Sequence, residues 1–352
     1  MRAVVTGANG HVGNNLCRAL VERGYTVRAG VRSLADPKKT RHLAAMDGLE
    51  LVEADLYRPD QLRAACDGTD ILFHVAAVYA YVVGEREADD MVRASVEGAE
   101  NALRAAAETK VRKVVLTSSI VTLPLTAPGA PPSTEDDWTT DPLVPYFRAK
   151  TLAEKRAWEL AKELRLTLVT VLPGAIGGPG FAHNTPTIDA IEGIMLGTMR
   201  LGAPRANLPY VDIRDVISAH VLAAEADCRG RFIVCNDRFP SFIEIIETMH
   251  GIDPKVRRAL MTLPDFMLPA APFFDRLNHR RVGSPRVLVP ELIATLRGKI
   301  WNASNERAKR ELGWRQEIPL EASLRDTMNV LKRRRASKAA SLAQSSHVHS
   351  RE

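Results

Sequence analysis

The sequence predicts an α/β protein: a doubly wound parallel sheet with helices on both faces, followed by a smaller, mainly helical lobe. Three observations predict it. Short β-branched runs alternate with amphipathic helical segments through the first half of the chain, the pattern of βαβ units. The strand-like runs are continuously apolar, as in "ILFHV" and "VVL", which suits strands buried on both faces. Past about Ala175, proline and glycine become frequent and the alternation loosens.

Taken in order, the first strand covers Ala3 to Thr6 and runs into "VTGANGHVG", Val5 to Gly13. Gly7, Gly10 and Gly13 stand where a strand meets a helix, the context in which this spacing has a mechanism. Glycine permits a tight turn, lets a pyrophosphate approach the backbone and lets the next helix pack closely, while the helix N-terminus offers free N–H groups to the phosphate charge. A dinucleotide is therefore expected on Gly7, Asn9, Gly10, His11, Val12 and Gly13, and the fold is expected to be of Rossmann type. The first helix covers Val12 to Arg23, with Leu16, Leu20 and Val21 on one face.

The second strand, Thr26 to Val31, ends in Gly30-Val31-Arg32, where an NAD-binding protein would place an acid for the ribose 2′-hydroxyl. Basic residues stand there instead: Arg32, then Lys38, Lys39 and Arg41. A guanidinium can hold a 2′-phosphate with two hydrogen bonds and stack on adenine. NADP(H) is thus expected over NAD(H), with Arg32 and Lys39 as its phosphate partners.

The third strand, Leu49 to Glu53, leads to Asp55-Leu56; the fourth, Ile71 to Val75, contains "HVAA", in which His74 is expected to pack inside the sheet. An Ala-rich helix follows from about Ala88 to Thr109, then a fifth strand, Lys113 to Thr117, ending in Thr117-Ser118-Ser119. "YFRAK", Tyr146 to Lys150, opens the next helix, and residues four apart lie on one helical face. A free phenol ionises near ~10, and a neighbouring ammonium lowers that value by stabilising phenolate. Tyr146 becomes a candidate proton donor tuned by Lys150. A sixth strand, Leu166 to Leu172, precedes "LPGAIGGPG".

Two segments read as loops, Pro124 to Trp138 and Leu263 to Leu277, because their prolines exclude long helices. The stretches from His183 to Arg200 and from Phe239 to Leu312 read as the helical lobe. The division expected is 1–174 for the cofactor domain, 175–331 for a mixed region that is mainly the substrate lobe with segments returning to the sheet, and 332–352 for a basic tail.

Composition bounds the rest. The 352 residues are 45% apolar and carry a formal charge of +6, but nearly all the excess lies in the tail "KRRRASKAASLAQSSHVHSRE". The body is close to neutral, so a nucleic-acid partner is not expected. The tail is Ser/Ala-rich without helical apolar spacing and is expected to be disordered. No run approaches the ~18 apolar residues of a membrane span, and the first strand begins at once, so a soluble cytoplasmic protein is expected. Four cysteines without metal or redox spacing are expected to be reduced packing thiols, and no metal site is expected.

These motifs together resemble the extended short-chain dehydrogenase/reductase superfamily, the NAD-dependent epimerase/dehydratase family. The glycine spacing, "VVLTSS", a tyrosine 27 residues beyond Ser119 with lysine four further on, "PYVDIRDVISAHVLAAE" and "NERAKRELGW" carry the resemblance, which extends to about Lys332. It implies Ser119, Tyr146 and Lys150 as catalytic residues, with Ser118 or Thr122 as alternatives for the hydroxyl. It also implies that Asp55 and Leu56, then Val75, Ala76, Ala77, Thr117, Pro173, Gly174 and Ile176, line the cofactor together with Tyr146 and Lys150.

Within the superfamily, "VRAGVRSLADPKK" and "KTLAE" are similar to dihydroflavonol and cinnamoyl-CoA reductases, whereas "FHVAAVYAYV" and "TSSIVTL" also resemble hopanoid-associated sugar epimerases. The loop after the sixth strand lacks the Arg…Asn-Val-Tyr-Gly-Pro pattern of sugar-nucleotide enzymes, and Ser118-Ser119-Ile120 replaces the dehydratases' Thr-Asp-Glu. An NADPH-dependent reductase of a largely apolar ketone or aldehyde is expected. The alternatives are a nucleotide-sugar epimerase or dehydratase, or a non-catalytic NADP(H)-binding regulator. Apolar side chains following the strands are the candidate substrate walls: Val78, Tyr79, Tyr81, Ile120, Val121, Phe181 and Tyr210. His183 and Asn184 are expected in a surface loop. A monomer or homodimer is expected, with Trp158 and Leu160 serving an interface or the core.

Overall fold

The computed structural model describes residues 1–77, 85–282 and 289–349, so Val78, Tyr79 and Tyr81 lie outside the described residues. The first half alternates as β1 (Arg2–Thr6), α1 (His11–Glu22), β2 (Thr26–Val31), α2 (Pro37–Ala44), β3 (Leu49–Glu53), α3 (Pro59–Cys66), β4 (Ile71–His74), α4 (Glu85–Glu108), β5 (Lys113–Thr117), α5 (Pro145–Glu163) and β6 (Leu168–Pro173). There follow β7 (Ala175–Gly177), α6 (Pro186–Met195), β8 (Ala203–Pro204), β9 (Tyr210–Asp212), α7 (Ile213–Glu225), β10 (Gly230–Val234), α8 (Phe242–Ile252) and β11 (Thr262–Leu263). The chain ends in α9 (Ala271–Val282), α10 (Pro290–Leu296), α11 (Glu306–Leu312) and α12 (Leu320–His349).

Seven strands form one parallel sheet in the order β10-β6-β5-β4-β1-β2-β3. The strand order reverses between β1 and β4, and open sheets of this kind bind ligands beyond the carboxyl ends of the strands at that crevice. Alternate residues of each strand feed two cores. Val5, Phe73, Val115 and Val169 pack with α1, α7 and α11, while Val4, Leu72, Val114 and Leu168 pack with α3, α4 and α5. Sheet and helices form a doubly wound Rossmann-type fold, and the remaining helices add a mainly helical C-terminal region.

Long-range returns complete the sheet. β10 pairs with β6, and α7 packs on α1. The "NERAKRELGW" segment closes this edge: the Asn305 side-chain amide donates to the Cys235 carbonyl at 2.8 Å, and the fully buried Trp314 donates from Nε1 to the Asp215 carbonyl at 2.8 Å. A separate apolar cluster joins Phe181, Ile188, Tyr210, Ile245, Met249, Leu324 and Met328, tying α6, α8, β9 and α12 together.

Two expectations differ from the structure. The segment from Leu263 to Leu277, expected as a loop, forms a 3₁₀ turn over Asp265–Ala270 followed by α9. Pro269 falls within the short 3₁₀ turn, and Pro272 sits in the first turn of α9, where a missing N–H breaks no helical bond. The basic tail, expected to be irregular, continues α12 as far as His349. Its alanines, lysines and arginines are strong helix formers even without an apolar stripe. The start of that tail also has partners, with Lys332 on Asp253 at 2.7 Å and Arg335 on Glu192 at 3.4 Å. Among the described residues no helix is long and apolar enough to cross a membrane.

Candidate active site

At the carboxyl end of β1 the chain turns on Gly7, whose φ of +66° favours glycine and whose hypothetical Cβ would stand 2.8 Å from the Ala76 backbone. A Cβ on Gly13 would overlap the Gly7 carbonyl oxygen. These close approaches explain two of the three glycines physically. α1 then starts from Gly10 with no side chain capping its first turn, leaving the terminal N–H groups for a ligand. The turn is fastened from behind. His11 donates from Nε2 to the Pro179 carbonyl at 2.9 Å, and Asn14 donates to the Gly180 carbonyl at 3.0 Å.

The Thr6 hydroxyl ties this loop to the turn after β4. Its oxygen accepts from the backbone N–H groups of Val75 and Ala76 at 3.1 and 3.2 Å, so its proton points to Nδ1 of His74, 3.1 Å away. His74 therefore carries its own proton on Nε2. Burial, aided by the charge of Lys150, pushes its pKa down to about 4 and keeps it neutral.

A cavity of about 510 Å³ opens at this switch point. Gly7, Asn9, Gly10, His11, Val12, Gly13, Arg32, Asp55, Leu56, Val75, Ala76, Ala77, Thr117, Pro173, Gly174 and Ile176 all line it, as do Ser119, Tyr146 and Lys150. Lys39 does not. Its side chain lies on α2, mostly in solvent, 3.5 Å from Asp36. Arg32 alone of the two expected phosphate partners is at the cavity, and it is exposed. The backbone cradle, the uncapped helix start and the open guanidinium fit a nicotinamide dinucleotide.

At the reacting end, Pro145 occupies the first turn of α5, where a fixed φ favours helix initiation, and Tyr146 follows it into the cavity wall, 6% exposed. One turn on, Lys150 donates from Nζ to the Thr117 carbonyl at 3.0 Å. Burial pulls the Lys150 ammonium down to about 8, and the nearby Glu154 carboxylate opposes that fall. The three hydroxyls at the strand end are now distinguishable. Ser118 donates to Glu154 Oε2 at 2.6 Å, and Thr122 donates to the Ser119 carbonyl at 3.0 Å while accepting from Arg231 at 2.8 Å. Among the described residues the Ser119 oxygen accepts from the Val121 N–H at 3.3 Å and its proton meets no acceptor. That singles out Ser119 as the hydroxyl able to donate to a ligand oxygen.

The expected substrate walls fare differently. Ile120 and Val121 form a buried 3₁₀ turn packed with Leu123, Val144 and Phe147. Phe181 is buried in the lobe, its ring edge-on to His11 at 5.5 Å between centroids. Tyr210 is fully buried, with its hydroxyl 2.8 Å from Ser323 Oγ and its ring against Gly177. None of these four lines the cavity. They are core behind it, because apolar side chains serve walls and interiors alike. His183 is exposed, and the Asn184 amide donates to Asp189 at 2.9 Å and Glu192 at 2.7 Å, outside the lining. Leu160 is buried in the core between α4 and α5, and Trp158 packs against the same cluster. All four cysteines are free thiols.

Sequence reasoning missed Tyr57, Ser95, Thr185 and Glu154, which also line the cavity. Thr185 had a readable signal: it caps α6, accepting from the Ile188 N–H, just ahead of Pro186. Glu154 stood in view four residues beyond Lys150.

Comparison with known proteins identifies relatives of the whole chain. The NAD dependent epimerase/dehydratase family matches residues 3–235. Cinnamoyl-CoA reductase CAD2 of Medicago truncatula is 30% identical over 94% of this chain and 95% of its own length. Cinnamoyl-CoA reductase 1 of Arabidopsis thaliana is 38% identical over 65% of this chain and 69% of its own. The crystal structure of gox2253 superposes with a TM-score of 0.79 at 29% identity, covering 94% of this chain and 98% of that one.

Proposed function

The chain belongs to the NAD dependent epimerase/dehydratase family and is an oxidoreductase of the extended short-chain dehydrogenase/reductase kind acting on carbonyl or alcohol groups; from that premise we propose that it is an NADP(H)-dependent reductase of a largely apolar ketone or aldehyde. One observation carries the reading: the glycine turn, Arg32 and the trio Ser119, Tyr146 and Lys150 all line a single cavity. The turn from Gly7 to Gly13 would hold the pyrophosphate on its N–H groups, and Arg32 the 2′-phosphate. NADPH, when bound, supplies the hydride that reduces a carbonyl carbon.

The chain's own residues supply the rest. Tyr146 gives its phenolic proton to the carbonyl oxygen, so that the product alcohol gains one hydrogen on carbon and one on oxygen. Ser119 donates a hydrogen bond to the same oxygen. Lys150 stabilises the phenolate left on Tyr146 and would hold the nicotinamide ribose. Leu56, Val75, Leu116, Pro173 and Ile176 give the cavity an apolar lining on the side proposed for the cofactor. The relatives named for cinnamoyl-CoA support reduction of a carbonyl group, there a thioester with an apolar acyl part, and the ketone or aldehyde is the part this proposal adds.

The test is NADPH oxidation against a panel of aromatic and aliphatic ketones and aldehydes, with NADH and UDP-sugars as controls. Consumption of NADPH with at least one carbonyl, and far slower use of NADH, is expected. Turnover of UDP-sugars alone would place the protein with the epimerases, and equal use of NADH would overturn the role given to Arg32.

A further inference from the structure

From the cavity wall inward runs a buried charge pair that the reaction as described does not use. Glu154 on α5 and Arg231 on β10 are 1% and 6% exposed and meet at 3.0 Å. Every polar atom of the pair has a partner. Glu154 Oε1 accepts from Thr170 at 2.7 Å and from Arg231 Nε; its Oε2 accepts from Ser118 at 2.6 Å. Arg231 also donates from Nη1 to the Glu135 and Asp137 carbonyls, both at 2.7 Å, and from Nη2 to Thr122 at 2.8 Å. Its guanidinium stacks 3.6 Å from the centre of the Trp138 ring.

A buried ion pair is weak support for stability, since an apolar pair of similar volume often serves as well or better. Its position suggests another use. Lys150 and Glu154 stand one turn apart on α5 and grip two consecutive residues at the end of β5, Lys150 the Thr117 carbonyl and Glu154 the Ser118 hydroxyl. The third residue of that run is Ser119. We propose that Glu154 is a positioning residue for the reaction, its carboxylate, itself fixed by Arg231, Ser118 and Thr170, holding the Lys150 ammonium protonated and aimed behind Tyr146.

This inference rests on the reductase reading for its consequence in turnover. Among the described residues, β4 brings His74, which is neutral, towards Lys150; β5 contributes the Thr117 carbonyl; α5 contributes Tyr146 and Glu154; and Arg231 of β10 turns its charge onto Glu154. Glu154 is thus the acid among them, and burial already draws Lys150 to about 8, close to working pH. Without the carboxylate the ammonium would lose its proton at a lower pH still.

The experiment follows Lys150 directly, by NMR titration of carbon-labelled lysine side chains assigned with Lys150→Met, in the wild type and in Glu154→Gln. In parallel, kcat/KM for NADPH-dependent carbonyl reduction is measured against pH. The Lys150 midpoint should fall by about one pH unit or more in Glu154→Gln, and the alkaline limb of the rate profile should move down with it, while Glu154→Asp recovers most of both. If Glu154→Gln does not fold, the double variant Glu154→Gln/Arg231→Gln, which leaves no unpaired charge, serves in its place with the same expectation. An unchanged Lys150 midpoint in a folded variant overturns the proposal whatever the activity. A shifted midpoint in a protein that reduces no carbonyl would leave the electrostatic inference standing and the reductase reading refuted.

Discussion

The two ends of the cavity are made in different ways. The proposed cofactor end is built mainly by backbone from neighbouring stretches of chain, with Gly7 and Gly13 where a Cβ cannot fit, an uncapped helix start and, just past the end of β2, the Arg32 side chain. The reacting end is built by side chains from distant stretches, with Ser119 on one strand end, Tyr146 and Lys150 on the next helix, and Thr185 brought in from the lobe. What differs is the source of precision. A backbone cradle needs only the right glycines, whereas a side-chain constellation needs every element behind it in place.

Four substitutions probe that contrast, beginning with the largest effect. Ser119→Ala removes the uncommitted donor at the reacting end and is expected to lower kcat about 10²- to 10³-fold with little change in NADPH affinity, as read by steady-state kinetics and cofactor fluorescence. Comparable loss of NADPH binding would mean that Ser119 belongs to the cradle instead. At the other end, Arg32→Glu should raise KM for NADPH about 10- to 100-fold and leave kcat nearly unchanged, because it replaces a charge-assisted contact by repulsion. Tyr210→Phe leaves the Ser323 hydroxyl without its 2.8 Å partner in the lobe core. It should cost about 1 kcal/mol in denaturant unfolding and spare kcat, whereas a large fall in kcat would return Tyr210 to the substrate wall. Lys39→Ala should change neither KM nor stability measurably, since its ion pair with Asp36 is exposed.

How far the sequence was readable follows the same division. The glycine turn and the Tyr146–Lys150 pair were visible because local spacing fixes their geometry: three residues across a turn, four along a helix face. Lys39 stands on the following helix, outside the cavity lining, because nearness in sequence to Arg32 does not set the direction of a side chain there. Phe181 and Tyr210 are core rather than lining, a distinction that sequence does not carry because an aromatic side chain suits a cavity wall and an interior alike. The partnership of Glu154 with Arg231 spans 77 residues and depends on β10 returning to pair with β6, so no local pattern announces it. In the tail, α12 extends without an apolar stripe, on the intrinsic helix propensity of its alanines, lysines and arginines.

The central claim is that Tyr146 moves the proton in a reduction whose cofactor the glycine turn holds. The most direct measurement compares Tyr146→Phe with the wild type in two readings, NADPH binding by fluorescence titration and turnover of the best carbonyl from the panel. Binding should be nearly unchanged, and kcat should fall by at least ~10²- to 10⁴-fold, the usual worth of a general acid. Full turnover in Tyr146→Phe would contradict the account.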